Sequence, residues 1–228
     1  MNQFGRSTDV SGFEFKTTPT ADVSSDERAL MHELFDACYR QANHDHLDKS
    51  LKVLRYVSFA WRDGKPAAFA MADSLVIDLP RLPQTTLTLG GLCCVLPEFR
   101  RHGLFGALMA RAIGAGDIRS PERILTAGRM AHPGAFRLMA VHPSVVPKPG
   151  VTPTPWQQDV GQAIADVYGV ENFDPETFVC VGSGKPIGYP LMEVEAKEHE
   201  WEVFEPVDRD RGDALLGIAW NPDPPEDW

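Results

Sequence analysis

The alternation of apolar and polar positions predicts a chain that is built from strands and helices in turn. Phe13-Glu14-Phe15 alternates like a short strand. Longer apolar runs also have strand character, and they cover residues 54–61, 67–79, 85–95 and 123–130. The polar segment between the first two of these runs contains Asp63-Gly64, which is typical of a tight hairpin turn. We therefore expect these two strands to be antiparallel neighbours.

Apolar residues at helical spacing predict further elements between the strands. Ser24 and Glu27 have the spacing of a capping box, and the helix that follows is predicted to end at about Ala42. A second helix is predicted to end at about Ala115. Two more are predicted over residues 132–139 and 156–168. The polar residues 44–50 are expected to form a loop.

The chain after His142 combines prolines with short apolar runs. Five prolines in residues 142–155 disfavour regular structure and predict a stiff covering loop. Closing strands are expected at residues 178–181, 201–204 and 214–220, with a polar turn at residues 208–213. The whole chain, residues 1–228, is expected to be one domain, with a core at residues 12–142 and an extension at residues 143–228 that contains the proline-rich loop, a helix and the last strands.

Composition and charge exclude several classes of protein. The 228 residues are 43% hydrophobic and 24% charged, which is ordinary for a globular protein. No run approaches the roughly 18 apolar residues of a membrane span, and the first residues lack the apolar core of a secretory signal. We therefore expect a cytoplasmic protein without a membrane partner. The net charge of −10 disfavours nucleic acid as a partner and suits a cationic one.

Cysteines and histidines do not form a metal-binding pattern. The four cysteines lack Cys-x-x-Cys spacing, and adjacent Cys93 and Cys94 would point to opposite faces of a strand, so reduced thiols are expected. His44 and His46 could ligate a metal, but they lie in one polar segment without distant ligands. No metal is expected.

The most informative segment is residues 95–108, where a basic, glycine-bearing turn separates a predicted strand from a predicted helix. The first amides of a helix have no intrahelical partner, and the helix dipole places partial positive charge at the same end. Gly103 and Gly106 remove side-chain bulk, while Arg100 and Arg101 add charge. This turn is therefore expected to bind an anion such as a phosphate.

At these residues the chain resembles the Gcn5-related N-acetyltransferase superfamily, whose signature is Arg or Gln, two residues, Gly, one residue, then Gly or Ala. Arg100, Gly103 and Phe105 occupy those places, and Phe105 departs from the pattern because it is bulky. The resemblance implies a mixed α/β (α+β) fold of the acyl-CoA N-acyltransferase type. Such a fold has a central, mainly antiparallel sheet that is splayed at a parallel strand pair and flanked by helices.

The resemblance also implies a reaction, which is the transfer of an acetyl group from acetyl-CoA to an amine of a small molecule or peptide by direct attack. In this family the strand before the turn and the turn itself bind the coenzyme. The cofactor-binding residues implied here are Cys93, Cys94, Val95, Arg100, Arg101, His102, Gly103, Leu104, Phe105 and Gly106. A homodimer is left open.

The catalytic groups are less clear from the sequence. An attacking ammonium must lose a proton, and family members often place a glutamate on the strand before the turn, but residues 85–95 contain no acid. The candidate bases are Asp73, Glu98 and His132, with His44 and His46 as further alternatives. Met139 stands at the place of the family's usual tyrosine, and methionine cannot donate a proton. The alternative function is therefore a catalytically silent acyl-CoA sensor or interaction domain.

Overall fold

The computed structural model describes residues 9–118, 123–191 and 195–228. The strands are β1 (Phe13–Pro19), β2 (Tyr39–Arg40), β3 (Tyr56–Arg62), β4 (Lys65–Leu79), β5 (Leu82–Val95), β6 (Ile124–Met130), β7 (Phe173–Asp174), β8 (Val179–Cys180), β9 (Tyr189–Pro190) and β10 (Ala214–Asn221). The helices are α1 (Ser25–Cys38), α2 (His44–Val53), α3 (Leu104–Gly114), α4 (Pro133–Ala140), α5 (Pro155–Val167) and α6 (Glu198–Trp201).

Eight strands form one sheet in the order β1-β3-β4-β5-β6-β10-β8-β7. Neighbours in this sheet are antiparallel except β5 and β6, which are parallel. The connection between β5 and β6 contains α3, as a parallel crossover requires. This is the mixed α/β, mainly antiparallel sheet with one parallel pair that the sequence led us to expect, so the fold class is confirmed.

Helices cover both faces of the sheet. On one face, α1, α2 and α5 contribute Phe35, Leu47 and Ile164 to the largest apolar cluster. On the other face, Met109 of α3 lies against Gly90 of β5, and Met139 of α4 lies near Gly128 of β6. The parallel pair is therefore enclosed between α5 on one side and α3 with α4 on the other.

Most boundaries follow the sequence pattern, but two predictions are wrong. Residues 44–50 form α2 rather than a loop, because Asn43 caps the helix by accepting a hydrogen bond from the His46 amide and Leu47 is buried. Residues 201–204 were expected to be a strand but are helical, because Val203 and Phe204 pack from a helical turn against the α4 side of the sheet. Short apolar runs do not distinguish strand from helix.

The first helix ends earlier than expected. It stops at Cys38 instead of about Ala42, because Tyr39 and Arg40 form β2 and pair with β9 in a separate two-stranded sheet. Strands from both sides of His142 contribute to the main sheet. The single domain over residues 1–228 extends beyond the described residues and stays a prediction. None of the described helices combines the length and the apolar character that crossing a membrane requires.

Candidate functional site

The parallel strands β5 and β6 form a fork. They pair from Thr86 with Ile124 up to Gly90 with Gly128, and beyond this point they no longer pair with each other. β5 continues through residues 91–95 along its other neighbour, β4. Along this stretch the β5 edge toward β6 therefore carries backbone groups that an extended ligand can pair with.

A β-bulge lies at the start of the open part of the fork. Ala72 pairs with Gly90 and Ala70 pairs with Cys93, so Gly91 and Leu92 oppose the single residue Met71. A bulge of this kind bends its strand and re-aims backbone groups. The bend therefore coincides with the point where β5 leaves β6.

Tyr168, which follows α5, closes the vertex of the fork. Its hydroxyl lies 2.9 Å from the carbonyl oxygen of Gly90 and 3.2 Å from that of Ala127. Tyr168 is buried, and burial raises the pKa of its hydroxyl. This residue was not predicted from the sequence, since nothing in a lone tyrosine at the end of a helix indicates that it contacts a pair of strands elsewhere in the chain.

The glycine-bearing turn that was expected to bind an anion lies at the far end of the same β5 segment. Gly103 has φ +82° and precedes α3, which begins at Leu104 without a side-chain cap. A methyl group on Gly106 would meet nothing within 4 Å, so the space beside this residue in the first helical turn is open. The Phe105 ring is 42% exposed. The residue that departs from the family pattern is thus directed to solvent rather than into the core.

The side chains of Arg100 and Arg101 have different environments, although the two residues are adjacent in the sequence. Arg101 is exposed and has φ +71°. The Nε of Arg100 instead donates to the Val95 carbonyl at 3.1 Å, and its charge also acts on Cys38 of α1. Of the two arginines, Arg101 is therefore the one with its side chain in solvent beside the turn.

The thiols near this turn differ in the direction in which their pKa is shifted. Burial raises the pKa of Cys93 to about 12 and also raises that of Cys94. A hydrogen bond with Cys94, aided by Arg100, lowers the pKa of Cys38. The thiols of Cys93 and Cys94 are therefore protonated at pH 7.

Asp73 lies inside the sheet and is held in an ion pair. It is 2% exposed, and its carboxylate accepts from the Arg55 guanidinium at 2.8 and 2.9 Å and from the amides of Arg55 and Ser74. A carboxylate with these partners stabilises the β4 strand and the end of α2. We assign it a structural role.

Glu98 and His132 lie on different sides of the fork. Glu98 is exposed in the short turn at Pro97–Phe99, beside the anion-binding turn. His132 caps α4, where its Nδ1 accepts from the Gly134 amide at 3.0 Å, and its ring packs edge-on against Trp201. The structure therefore does not bring Asp73, Glu98 and His132 together in one constellation.

The two histidines of α2 have different environments. His44 pairs with Asp36 at 2.8 Å on the surface. His46 instead faces the interior, where burial, together with the positive charges of Arg129 and Lys49, lowers its pKa to about 4. His46 therefore carries a neutral imidazole at pH 7, and Arg129 of β6 is one of the charges that act on it.

Met139, at the place of the family's tyrosine, is buried. Its sulfur lies near Gly128 and Gly217, in the apolar cluster between α4 and the sheet. Arg129, which follows Gly128, is a second residue that the sequence analysis missed; it reaches toward Tyr168 and Cys180. Across the described residues, no group of three or more histidine, cysteine, aspartate or glutamate side chains is placed to hold a metal ion.

Comparison with known proteins gives structural similarity at low sequence identity. No protein-family model matches the chain, and no curated protein matches it. The chain is similar to an aminoglycoside N-acetyltransferase in complex with CoA, with 19% identity over 48% of this chain and 78% of that one and a TM-score of 0.32. It is also similar to an acyl-CoA N-acyltransferase from Pseudomonas aeruginosa, with 19% identity over 50% and 78% and a TM-score of 0.35.

A third similar structure is a GCN5-related glucosamine N-acetyltransferase region of a fungal multi-domain β-N-acetylglucosaminidase. The identity is 18%, and the match covers 69% of this chain and 17% of that one, with a TM-score of 0.37.

Proposed function

We propose that this protein is an acyltransferase of the Gcn5-related type, which moves an acetyl group from acetyl-CoA to an amine of a small molecule or peptide. The observation that carries the proposal is the placement of two features on one strand. The open fork begins at Gly91, and the anion-binding turn follows Val95. These two features suit the two ends of one long ligand with a diphosphate at one end and a thioester at the other.

The anion-binding turn would hold the diphosphate. The amides of Leu104, Phe105 and Gly106 open α3, and Arg101 adds charge from solvent. The amide-bearing arm would run along β5 from Val95 to Gly91, a stretch of about 13 Å at the rise of a strand. Pairing of the arm with the strand edge resembles the addition of an extended peptide to a sheet.

The thioester would then lie near the bulge at Gly91 and Leu92. An amine that enters beside the vertex attacks the carbonyl carbon, so a C–N bond forms and the C–S bond breaks. The proton of the attacking nitrogen passes to a base, and the thiolate takes a proton from solvent. A thiol is a moderately weak base, so its thiolate is an adequate leaving group.

His46 is our choice for the base among the candidates. Its imidazole is neutral at pH 7, and the charge of Arg129, which follows the vertex on β6, acts on it. The Asp73 carboxylate is occupied by Arg55, and the Nδ1 of His132 is occupied by the Gly134 amide. Glu98 is placed at the diphosphate end.

Titration of CoA into the protein by calorimetry tests the binding step. Replacing Arg101 with alanine is expected to weaken binding about tenfold, which is about 1.4 kcal/mol. Arg81→Ala is the matched control. Arg81 is also exposed, has φ +62° and lies at the other end of β5, so binding should stay as in the wild type. If wild-type protein gave no binding signal with CoA, the proposal would be wrong.

Release of free thiol from acetyl-CoA, measured across a panel of amines, tests the transfer step. The buried Met139 and the acid-free strand favour the second candidate function, a silent acyl-CoA-binding domain. Tight CoA binding without thiol release from any amine would support that second function and contradict the first.

A further inference from the structure

Arg129 lies at a distinctive place in the fork. It is the first residue of β6 after Gly128, where the pairing with β5 ends. Its guanidinium is 5.8 Å from the centre of the Tyr168 ring, on the face of the sheet that α5 covers. The Cys180 thiol is a neighbour, and His46 of α2 is close enough to sense its charge. The guanidinium thus borders the vertex on the side where we place the attacking amine.

The guanidinium is poorly satisfied by the protein. Its Nε is buried and has no hydrogen-bond partner among the described residues. Its neighbours are an aromatic ring and a thiol, which are weak partners for a cation. No carboxylate in the described ranges forms an ion pair with it. Other arginines that fix parts of the fold have such partners, namely Arg55 with Asp73, Arg137 with Glu200 and Arg211 with Asp213.

An arginine with an orphaned buried donor destabilises the folded protein. A buried donor without an acceptor carries a free-energy penalty, because the hydrogen bond that it made to water is not replaced. An apolar side chain of similar length would fit a site bounded by Tyr168 and Cys180 at lower cost. A ligand that supplies an anion at this position would give the buried donor its acceptor.

We propose that Arg129 binds a carboxylate of the substrate beside the vertex of the fork, which makes the enzyme specific for a carboxylate-bearing reactant. This inference rests on the proposed acyltransferase function. A planar guanidinium matches a carboxylate with two parallel hydrogen bonds. One guanidinium balances one negative charge, so a carboxylate suits the site better than a doubly charged phosphate.

The carboxylate can come from either reactant. It belongs to the acceptor if the amine is an amino acid, and to the acyl group if the donor is a dicarboxylic acyl-CoA such as succinyl-CoA. Two assays of thiol release separate these sources. The first compares amino acids with their C-terminal amides, using acetyl-CoA. The second compares succinyl-CoA with acetyl-CoA, using an amine without a carboxylate.

Arg129→Met removes the charge while it keeps most of the length of the side chain. If the acceptor carries the carboxylate, we expect KM for amino acids to rise about a hundredfold in the variant, since a charge-assisted pair is lost. The amides should react as before. If the acyl group carries it, the same loss should appear for succinyl-CoA and not for acetyl-CoA. Arg123→Met, a change of equal charge at an exposed position before β6, should leave both preferences intact.

A readout without coenzyme separates this inference from the proposed function. N-acetylglycine should raise the unfolding temperature of wild-type protein more than N-acetylglycinamide does at equal ionic strength, and Arg129→Met should abolish the difference. This comparison stands even if CoA does not bind. The Arg129→Met variant should also be at least as stable as the wild type.

Two results would overturn the inference. One is equal reactivity of carboxylate and amide reactants with CoA binding intact, which would leave the acyltransferase function standing. The other is a strongly destabilised Arg129→Met variant with an unchanged response to N-acetylglycine, which would mark Arg129 as a structural residue.

Discussion

The Tyr168 hydroxyl donates to the Gly90 carbonyl oxygen at 2.9 Å, at the last pair that joins β5 to β6. The Ala127 carbonyl oxygen lies 3.2 Å from the same hydroxyl. A residue from outside the sheet therefore satisfies backbone groups at the point where the two parallel strands separate. Tyr168, which follows α5, thus stabilises the fork at the point where strand pairing stops.

Tyr168→Phe removes this hydrogen bond and keeps the ring. We expect the free energy of unfolding to fall by about 1–2 kcal/mol, because buried carbonyl oxygens lose a partner. Urea denaturation measures the loss. Tyr189→Phe is the control, since its hydroxyl bonds to Asp210 on the surface and should contribute less. Equal losses in both variants would mean that the vertex contact does not stabilise the fork.

Arg55 and Asp73 give a second prediction, because one partner is buried and the other is not. The Asp73 side chain is 2% exposed and that of Arg55 is 45% exposed. Arg55→Met leaves a buried carboxylate without its cation and should cost about 3 kcal/mol. Asp73→Asn should cost less, since the guanidinium remains in contact with water. Asp117→Asn, which removes the exposed partner of Arg55, should have a small effect.

Activity measurements on the same variants test the structural role of Asp73. Folded Asp73→Asn protein should release thiol at nearly the wild-type rate, because its carboxylate is held by Arg55 and by two amides. A folded variant that lost the reaction completely would instead make Asp73 the base.

Much of the fold follows from local patterns in the sequence. Asp63-Gly64 gives the β3–β4 hairpin, and Ser24 with Glu27 forms the capping box of α1. These signals are local, so no tertiary information is needed to use them. The wrong predictions arose where tertiary contacts decide the outcome. Residues 44–50 are polar enough for a loop, yet burial of the single residue Leu47 fixes them as a helix.

The candidate site, like the fold, was predicted where the signal is local in the sequence and was missed where it depends on tertiary contacts. The anion-binding turn was predicted from glycines and arginines that are adjacent in sequence, and Gly103 lies at its expected place before α3. Tyr168 and Arg129 were missed, because their roles depend on a meeting of α5 with β6 that no spacing in the sequence records. The hydrogen bonds of the Asp73 carboxylate could not be predicted from the sequence either, since Arg55 lies 18 positions away.

Gly106 offers a test in which stability and binding change in opposite directions. A methyl group at this position meets nothing within 4 Å, and the position is helical. Gly106→Ala should therefore stabilise the free protein by up to about 1 kcal/mol. The same methyl group would stand in front of the amides that we assign to the diphosphate, so calorimetry should show weaker CoA binding.

Gly114→Ala is the matched control in the same helix. Gly114 also has no atom within 4 Å of an added methyl group, but it ends α3 at the far side from the turn. This variant should resemble Gly106→Ala in thermal stability and the wild type in CoA affinity. Wild-type affinity in both variants would contradict the placement of the diphosphate.

The lowered pKa of His46 leads to a prediction of how the free energy of unfolding depends on pH. Burial, with the charges of Arg129 and Lys49, lowers its pKa in the folded protein to about 4, against 6.5 for an ordinary histidine. Between these values the unfolded chain binds a proton that the folded chain does not, so stability must fall as the pH falls. The slope from this residue approaches 1.4 kcal/mol per pH unit at its steepest, by the general relation of about 1.36 kcal/mol for each unit of pKa.

The measurement is the free energy of unfolding at pH 7, 6 and 5, a range that lies above the titration of most carboxylates. His46→Gln removes the imidazole and should flatten the decrease between pH 7 and 5, because the variant lacks the buried imidazole that takes up a proton on unfolding. His199→Gln changes an exposed histidine and should keep the wild-type profile. If His46→Gln lost stability with pH as steeply as the wild type, the imidazole would not be the buried neutral group that the proposed transfer step requires as its base.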